Sequence, residues 1–244
     1  QGVPPVFRHS ILFIAISGTA ISEQAAGIFM ASSEKKHGES LSLPHNRLAY
    51  ARYATTYPAR LLVRTVADRR GHSPSRPALY RAGKRTLAPE RRRREWLAWH
   101  AALHEEAPAE ETFYRPSGAP ALRSGRHIAV SHAGGYAALM LCDVPCGLDI
   151  ERADRDFTKT EERFLAPDER KLLESAGGLS AGIVWCAKEA LYKWSGLSGL
   201  DWLRDIRVTK IDPVRETLEG TAGGKRIGLK VIPHPELHIV FCAG

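Results

Sequence analysis

Residues 127–153, HIAVSHAGGYAALMLCDVPCGLDIERA, leave this chain few ways to fold. Two apolar, strand-like runs flank Gly134-Gly135, the composition of a tight hairpin turn. VPCGLDIERA is a third strand-like segment that exits into a polar loop. Two helical segments follow. FLAPDERKLLESA carries Pro167 near its start and acids in its first turn, and AGIVWCAKEALYKWSG ends at Gly196. The tail, IRVTKID, then ETLEGTAGGKRIGLKVI, then LHIVFCA, is expected to give three strands joined by tight turns. Strands then helices then strands is a mixed α+β pattern.

The segments before residue 127 are less regular. ILFIAISGTAI, at 11–21, is too short for the about 18 apolar residues of a membrane span. Its β-branched content reads as a first buried strand, with a signal-peptide core as the alternative. Residues 31–46 read as a polar loop, LLVRTVA at 61–67 as a strand, and the two prolines of RGHSPSRPAL as its end. APERRRREWLAWHAALHEEA, with Pro89 in its first turn, is the clearest early helix. YRPSGAPAL, at 114–122, is a turn-rich connector, and a domain boundary is expected near 120–130. That divides the chain into an N-terminal lobe, 1–125, and a C-terminal lobe, 126–244, which carries the charged motifs. Gln1 in place of Met is what a processed, tagged or fragmentary product would show.

The charge balance narrows the partners. A formal net charge of +8 over 244 residues favours an anionic partner: nucleic acid, a phosphorylated ligand or an acidic protein. Much of the excess lies in Arg81, Lys84, Arg85 and Arg91 to Arg94, which also read as a solvated helix face. The four cysteines, Cys142, Cys146, Cys186 and Cys242, lack zinc-site spacing and are expected to be reduced thiols of a cytosolic protein.

Three constellations could carry chemistry. In GLDIE, period two puts Asp149 and Glu151 on one strand face and Leu148 and Ile150 on the other. Two such acids suit Mg²⁺, which takes hard oxygen ligands and bridges to phosphates; two solvated acids at a strand end are the plainer alternative. In WCAKEALYKW, Glu189 and Lys193 are four apart on a helix and Lys188 flanks their face. A surface ion pair explains those two but not the apolar density around them. A carboxylate that completes a metal site, with lysines on phosphate oxygens, explains both. In VSHAGG, Ser131 and His132 end a strand before two glycines, as a phosphate contact or as a turn with a solvated His. They point to opposite faces, so His132 is poorly placed to activate Ser131.

Taken together and in order, VSHAGGYAAL, CGLDIE, RFLAPDE and WCAKEALYKW resemble the 4′-phosphopantetheinyl transferase superfamily, and most the longer, two-lobed monomeric type. The resemblance spans roughly residues 91–205 and is faint before residue 90. It implies two similar α+β lobes related by a pseudo-two-fold, with coenzyme A between them. It implies transfer of the phosphopantetheine arm of coenzyme A to a serine of an apo acyl or peptidyl carrier protein. The other product would be adenosine 3′,5′-bisphosphate. Carried over by motif, Asp149, Glu151 and Glu189 hold Mg²⁺ (or Mn²⁺), Glu151 through water, and Glu189 is the candidate base. Lys193 neutralises the leaving phosphate with Lys188 assisting, and Ser131 and His132 match a Ser-His pair whose His contacts the 3′-phosphate. The resemblance further implies a cytoplasmic monomer.

Two positions depart from the family pattern. His100 stands where Arg is usual, and Gly118-Ala119-Pro120 stands where Gly-Lys-Pro is usual. Arg115 or Arg126 is expected to replace the missing cations on coenzyme A. Two rival readings follow: a degenerate relative that binds carrier protein without catalysis, and a basic nucleic-acid-binding module using Arg91 to Arg94.

Overall fold

The computed structural model describes residues 9–15, 59–65 and 90–244. Residues 16–21, the loop at 31–46, Ala67 and RGHSPSRPAL lie outside them, as do Arg81, Lys84, Arg85, Pro89 and the side chains of Arg91, Arg93 and Arg94. Among the described residues, strands β1 (His9–Ala15) and β2 (Ala59–Thr65) precede helix α1 (Glu90–Glu106). A short hairpin of β3 (Thr112–Tyr114) and β4 (Pro120–Leu122) fills the expected connector. Then come β5 (His127–Ala133), β6 (Tyr136–Cys142) and β7 (Cys146–Arg152). Helices α2 (Pro167–Ser175) and α3 (Ala181–Ser195) lead into β8 (Ile206–Asp212), β9 (Thr217–Ala222), β10 (Lys225–Val231) and β11 (Leu237–Ala243). The α+β class holds.

The tail corrects one expectation. It contributes four strands, because Gly223 and Gly224, both at positive φ, turn ETLEGTAGGKRIGLKVI back on itself as β9 and β10. Gly134 and Gly135, also at positive φ, make the expected β5–β6 turn.

The strands form a four-stranded sheet, β2-β1-β6-β5, and a five-stranded sheet, β7-β11-β10-β9-β8. Period two sorts their side chains. Ala138, Met140 and Cys142 of β6 meet Leu148 and Ile150 of β7 and Leu237, Ile239 and Phe241 of β11 in a core shared by the two sheets. The alternate residues of β6, Ala137, Leu139 and Leu141, face Trp99, Ala102 and Leu103 of α1. The alternate residues of β11, Val240 and Cys242, lie under Val184, Ala187 and Leu191 of α3.

Helix α3 is fixed at both ends. Ser180 caps it by accepting a hydrogen bond from the Gly182 N–H at 3.1 Å, and Gly196 ends it in the left-handed conformation. Its approach to the sheet depends on missing side chains. A Cβ on Gly147 of β7 would stand 1.8 Å from the carbonyl oxygen of Ala190, and one on Gly220 of β9 would stand 2.6 Å from Leu191 Cδ1. The backbones of β7 and α3 therefore touch.

Gly147→Ala should push α3 off β7, because the obstruction is backbone and has no rotamer to yield. We expect a loss of about 3 kcal/mol in urea unfolding. An unchanged midpoint would mean that the contact is not part of the folded state.

Candidate active site

The contact at Gly147 sets two chemical rows against each other. On β7, Leu148 and Ile150 enter the shared core, so Asp149 and Glu151 face α3. From α3 come Glu189 and Lys193. The Lys193 Nζ donates to Asp149 Oδ1 at 2.7 Å and to the Leu148 carbonyl at 2.9 Å. In place of a surface Glu189–Lys193 pair along the helix, the plainer alternative, Lys193 makes a cross-link from α3 to β7.

Asp149 is buried, and a second donor holds the same oxygen: Ser131 Oγ at 2.6 Å. Ser131 also accepts the Ile150 N–H at 3.2 Å, which joins the facing edges of the two sheets, β5 and β7. The one hydroxyl hydrogen of Ser131 is therefore given to Asp149 and not held out for a phosphate. His132 faces the other way, with Nδ1 3.5 Å from Glu95 Oε2 of α1.

Glu189 has the informative electrostatics. Burial, with the charge of Asp149 next in weight, pushes its carboxyl up from 4.5 to about 6; Lys193 and Arg155 pull it down and Glu151 adds a smaller push upward. Glu151 accepts the Arg152 N–H at 2.8 Å and pairs with the Arg155 guanidinium. Among the described residues, no three Asp, Glu, His or Cys side chains already converge closely enough to hold a metal ion. The chemistry of the donor set fits one all the same. Glu189 feels the charges of both Asp149 and Glu151, and each of the two on β7 already engages a cation.

Lys188 is elsewhere. It is fully buried, with Nζ donating to the carbonyls of Phe164 at 2.5 Å and Trp202 at 2.7 Å and pairing with Glu169 Oε2 at 2.7 Å. Glu169 is equally buried and accepts the N–H groups of Ala166 at 2.9 Å and Val208 at 2.7 Å. Burial lowers the Lys188 pKa and the Glu169 carboxylate works against that. This ion pair ties α2, α3 and β8 together. Its three Nζ–H donors are all used, so the structure places Lys188 in the interior and not beside the carboxylates. The aromatic density of the motif has a similar use: Trp185 stacks on Trp202 at 5.4 Å, and Tyr192 leans on the same ring.

The replacement cations are also placed. Arg115 lies exposed at the end of β3, its backbone closing the turn to Ala119. Arg126 is engaged by Asp143 at 3.3 Å and Glu110 at 3.6 Å. His100 is sandwiched between Trp96 and Trp99, donates from Nδ1 to the Trp96 carbonyl at 2.9 Å, and has its pKa lowered by burial to about 4. It is neutral at pH 7 and does not restore an arginine's charge.

The sequence did not point to the partner of Lys188 or to two neighbours of the carboxylates. Glu169 was visible only as a first-turn acid of α2. Arg155, four residues past Glu151, looked like loop polarity. His238 faces Glu151 across the β7–β11 ladder, with Nε2 buried and without a hydrogen-bond partner. Only long-range register reveals it.

Residues 145–240 match the model of the 4′-phosphopantetheinyl transferase superfamily. This segment, well under half of the chain, is similar to that superfamily. It holds Asp149, Glu151, Lys188, Glu189 and Lys193, and leaves out Arg115, Ser131 and His132. Phosphopantetheinyl transferases use coenzyme A as donor together with a divalent metal. No match was found among curated proteins. Among the described residues, no helix is long and apolar enough to cross a membrane.

Two outcomes follow for the matched segment. Glu189 has a folded pKa above its unfolded one, so its contribution to stability is full below about pH 4.5 and is lost as pH rises through about 6. Glu189→Gln should match the wild type near pH 4 and exceed it by about 2 kcal/mol at pH 8. Parallel stability–pH curves from urea titrations would contradict this. Lys188→Met leaves Glu169 as an unpaired buried charge and should cost about 3–5 kcal/mol. A second change, Glu169→Leu, should recover part of that loss; two additive losses would show that the residues are not coupled.

Proposed function

We propose that the protein transfers the 4′-phosphopantetheine arm of coenzyme A to a serine hydroxyl of an apo acyl or peptidyl carrier protein. Adenosine 3′,5′-bisphosphate is released. The observation that carries this reading is the set of Asp149, Glu151 and Glu189 facing one another across the β7–α3 contact, with Lys193 linked to Asp149 at 2.7 Å. On the same reading the chain forms two lobes, 1–125 and 126–244, related by a pseudo-two-fold.

The reaction asks for a base, a nucleophile held in line and charge neutralisation at the pyrophosphate. The serine oxygen bonds to the phosphorus that bears the pantetheine arm, and the bridging P–O bond breaks. The bond's electron pair leaves with the adenosine bisphosphate. The serine proton passes to Glu189, whose pKa of about 6 leaves it mostly ionised at pH 7 yet more basic than an ordinary carboxylate. Lys193 spends two Nζ–H donors on Asp149 and Leu148, so the third is free for the departing phosphate. Mg²⁺ or Mn²⁺, held by Asp149, Glu151 and Glu189, would neutralise the pyrophosphate oxygens. Ser131 acts by fixing Asp149. His132, on the outer face of β5, and exposed Arg115 remain for the peripheral phosphate of coenzyme A. The net charge of +8 steers both a polyanionic donor and an acidic carrier.

A second reading, a relative that binds carrier protein without transferring the arm, is favoured by His100 and Arg126. The first is uncharged and the second is already paired.

Intact-mass spectrometry of an apo carrier incubated with the protein, coenzyme A and Mg²⁺ separates the two readings. We expect a gain of one phosphopantetheine arm that disappears without metal. Asp149→Ala should slow it by roughly a hundredfold or more. A carrier that binds yet gains no mass across several types would favour the second reading.

A further inference from the structure

The loop after β7 supplies a residue that the transfer chemistry does not use. Arg155 pairs with Glu151 Oε2. Its guanidinium carbon also lies 4.6 Å from the centre of the Phe157 ring and 5.5 Å from that of Trp185. It therefore has two attachments of different chemistry, a carboxylate on one side and two aromatic faces on the other.

The carboxylate row has two resident cations. Lys193 is tied to Asp149 and also to a backbone carbonyl, from a helix whose buried face fixes its position. Arg155 holds Glu151 from a loop, with its side chain about two-fifths exposed. A divalent cation that drew Glu151 towards Asp149 and Glu189 would have to turn the Glu151 carboxylate off Arg155. Lys193 could keep its carbonyl and its aspartate during that change. Arg155 could give up the carboxylate and keep the ring faces.

We propose that Arg155 is the built-in counter-cation of the carboxylate row and competes with the divalent metal for Glu151. Metal entry releases the guanidinium onto Phe157 and Trp185, so Arg155 sets how tightly the metal binds. The proposal rests on the reading of Asp149, Glu151 and Glu189 as a divalent-cation site.

The test is Mn²⁺ binding to the full chain without coenzyme A, followed by the electron paramagnetic resonance signal of free Mn²⁺. Arg155→Gln should bind Mn²⁺ roughly threefold to tenfold more tightly than the wild type, the range expected for a removed competing charge. Arg155→Lys keeps the charge and should return the affinity towards the wild-type value, and circular dichroism checks that both variants fold. Tryptophan emission should change on Mn²⁺ addition in the wild type and much less in Arg155→Gln, with Trp185→Phe identifying the ring. Equal or weaker Mn²⁺ binding by Arg155→Gln, with binding still abolished by Asp149→Ala, would overturn the competition. If Asp149→Ala and Glu151→Gln bound Mn²⁺ like the wild type, the cation-site reading itself would fall.

Discussion

The backbone contact between β7 and α3 is the constraint on which the rest of the site depends. A strand and a helix normally stand apart by the depth of their side chains. Here Gly147 has none, and the carbonyl of Ala190 occupies the space where its Cβ would be. The helix cannot slide along that contact, because Val184, Cys186, Ala187, Ala190 and Leu191 are fully buried on its sheet side. Period two on β7 and period 3.6 on α3 then decide which charges meet. Asp149 and Glu151 come up from the strand, and Glu189 and Lys193 come down from the helix. The separation of these charged groups is thus inherited from apolar packing.

The same helix uses its two lysines in opposite ways, and the difference is one of solvation. Lys188 lies in the interior, where a charge is tolerated only with a full set of partners. Glu169 and two carbonyls provide them. That pair holds α2 and β8 to α3 and has no donor to spare. Lys193 is partly exposed and keeps one donor unused. Five positions along a helix are enough to separate a structural cation from one that can meet a substrate.

How much of this was legible in the sequence depends on the range of the interaction. The β5–β6 hairpin, the faces of β7 and the ends of α3 are local, and Gly134-Gly135, GLDIE and Gly196 announced them. The family resemblance rested on those same local motifs. Splitting the tail into β9 and β10 was equally local, but Gly223-Gly224 sits in a run apolar enough to read through. The partner of Lys188 was not legible, because Glu169 lies on another helix. The same holds for His238, which meets Glu151 through strand register, and for His100, whose neutrality comes from burial between two tryptophans. Spacing locates charges on a face; only the tertiary contacts show which of those charges are already spent.

The row of acids is itself a liability before it is an asset. Like charges gathered at one contact repel, and at Glu189 the Asp149 charge adds to the larger effect of burial in raising the pKa. The fold offsets this with Lys193, Arg155 and the Ser131 hydroxyl. A site meant only for stability would bury these partners as it buries Lys188 and Glu169. Instead Lys193 and Arg155 remain partly exposed, and each has a second attachment that survives if its carboxylate turns away: a backbone carbonyl for one, aromatic faces for the other. Charges held by replaceable partners can be handed to a metal and a pyrophosphate without unmaking the fold. That is the property a phosphopantetheinyl transferase needs where strand and helix meet.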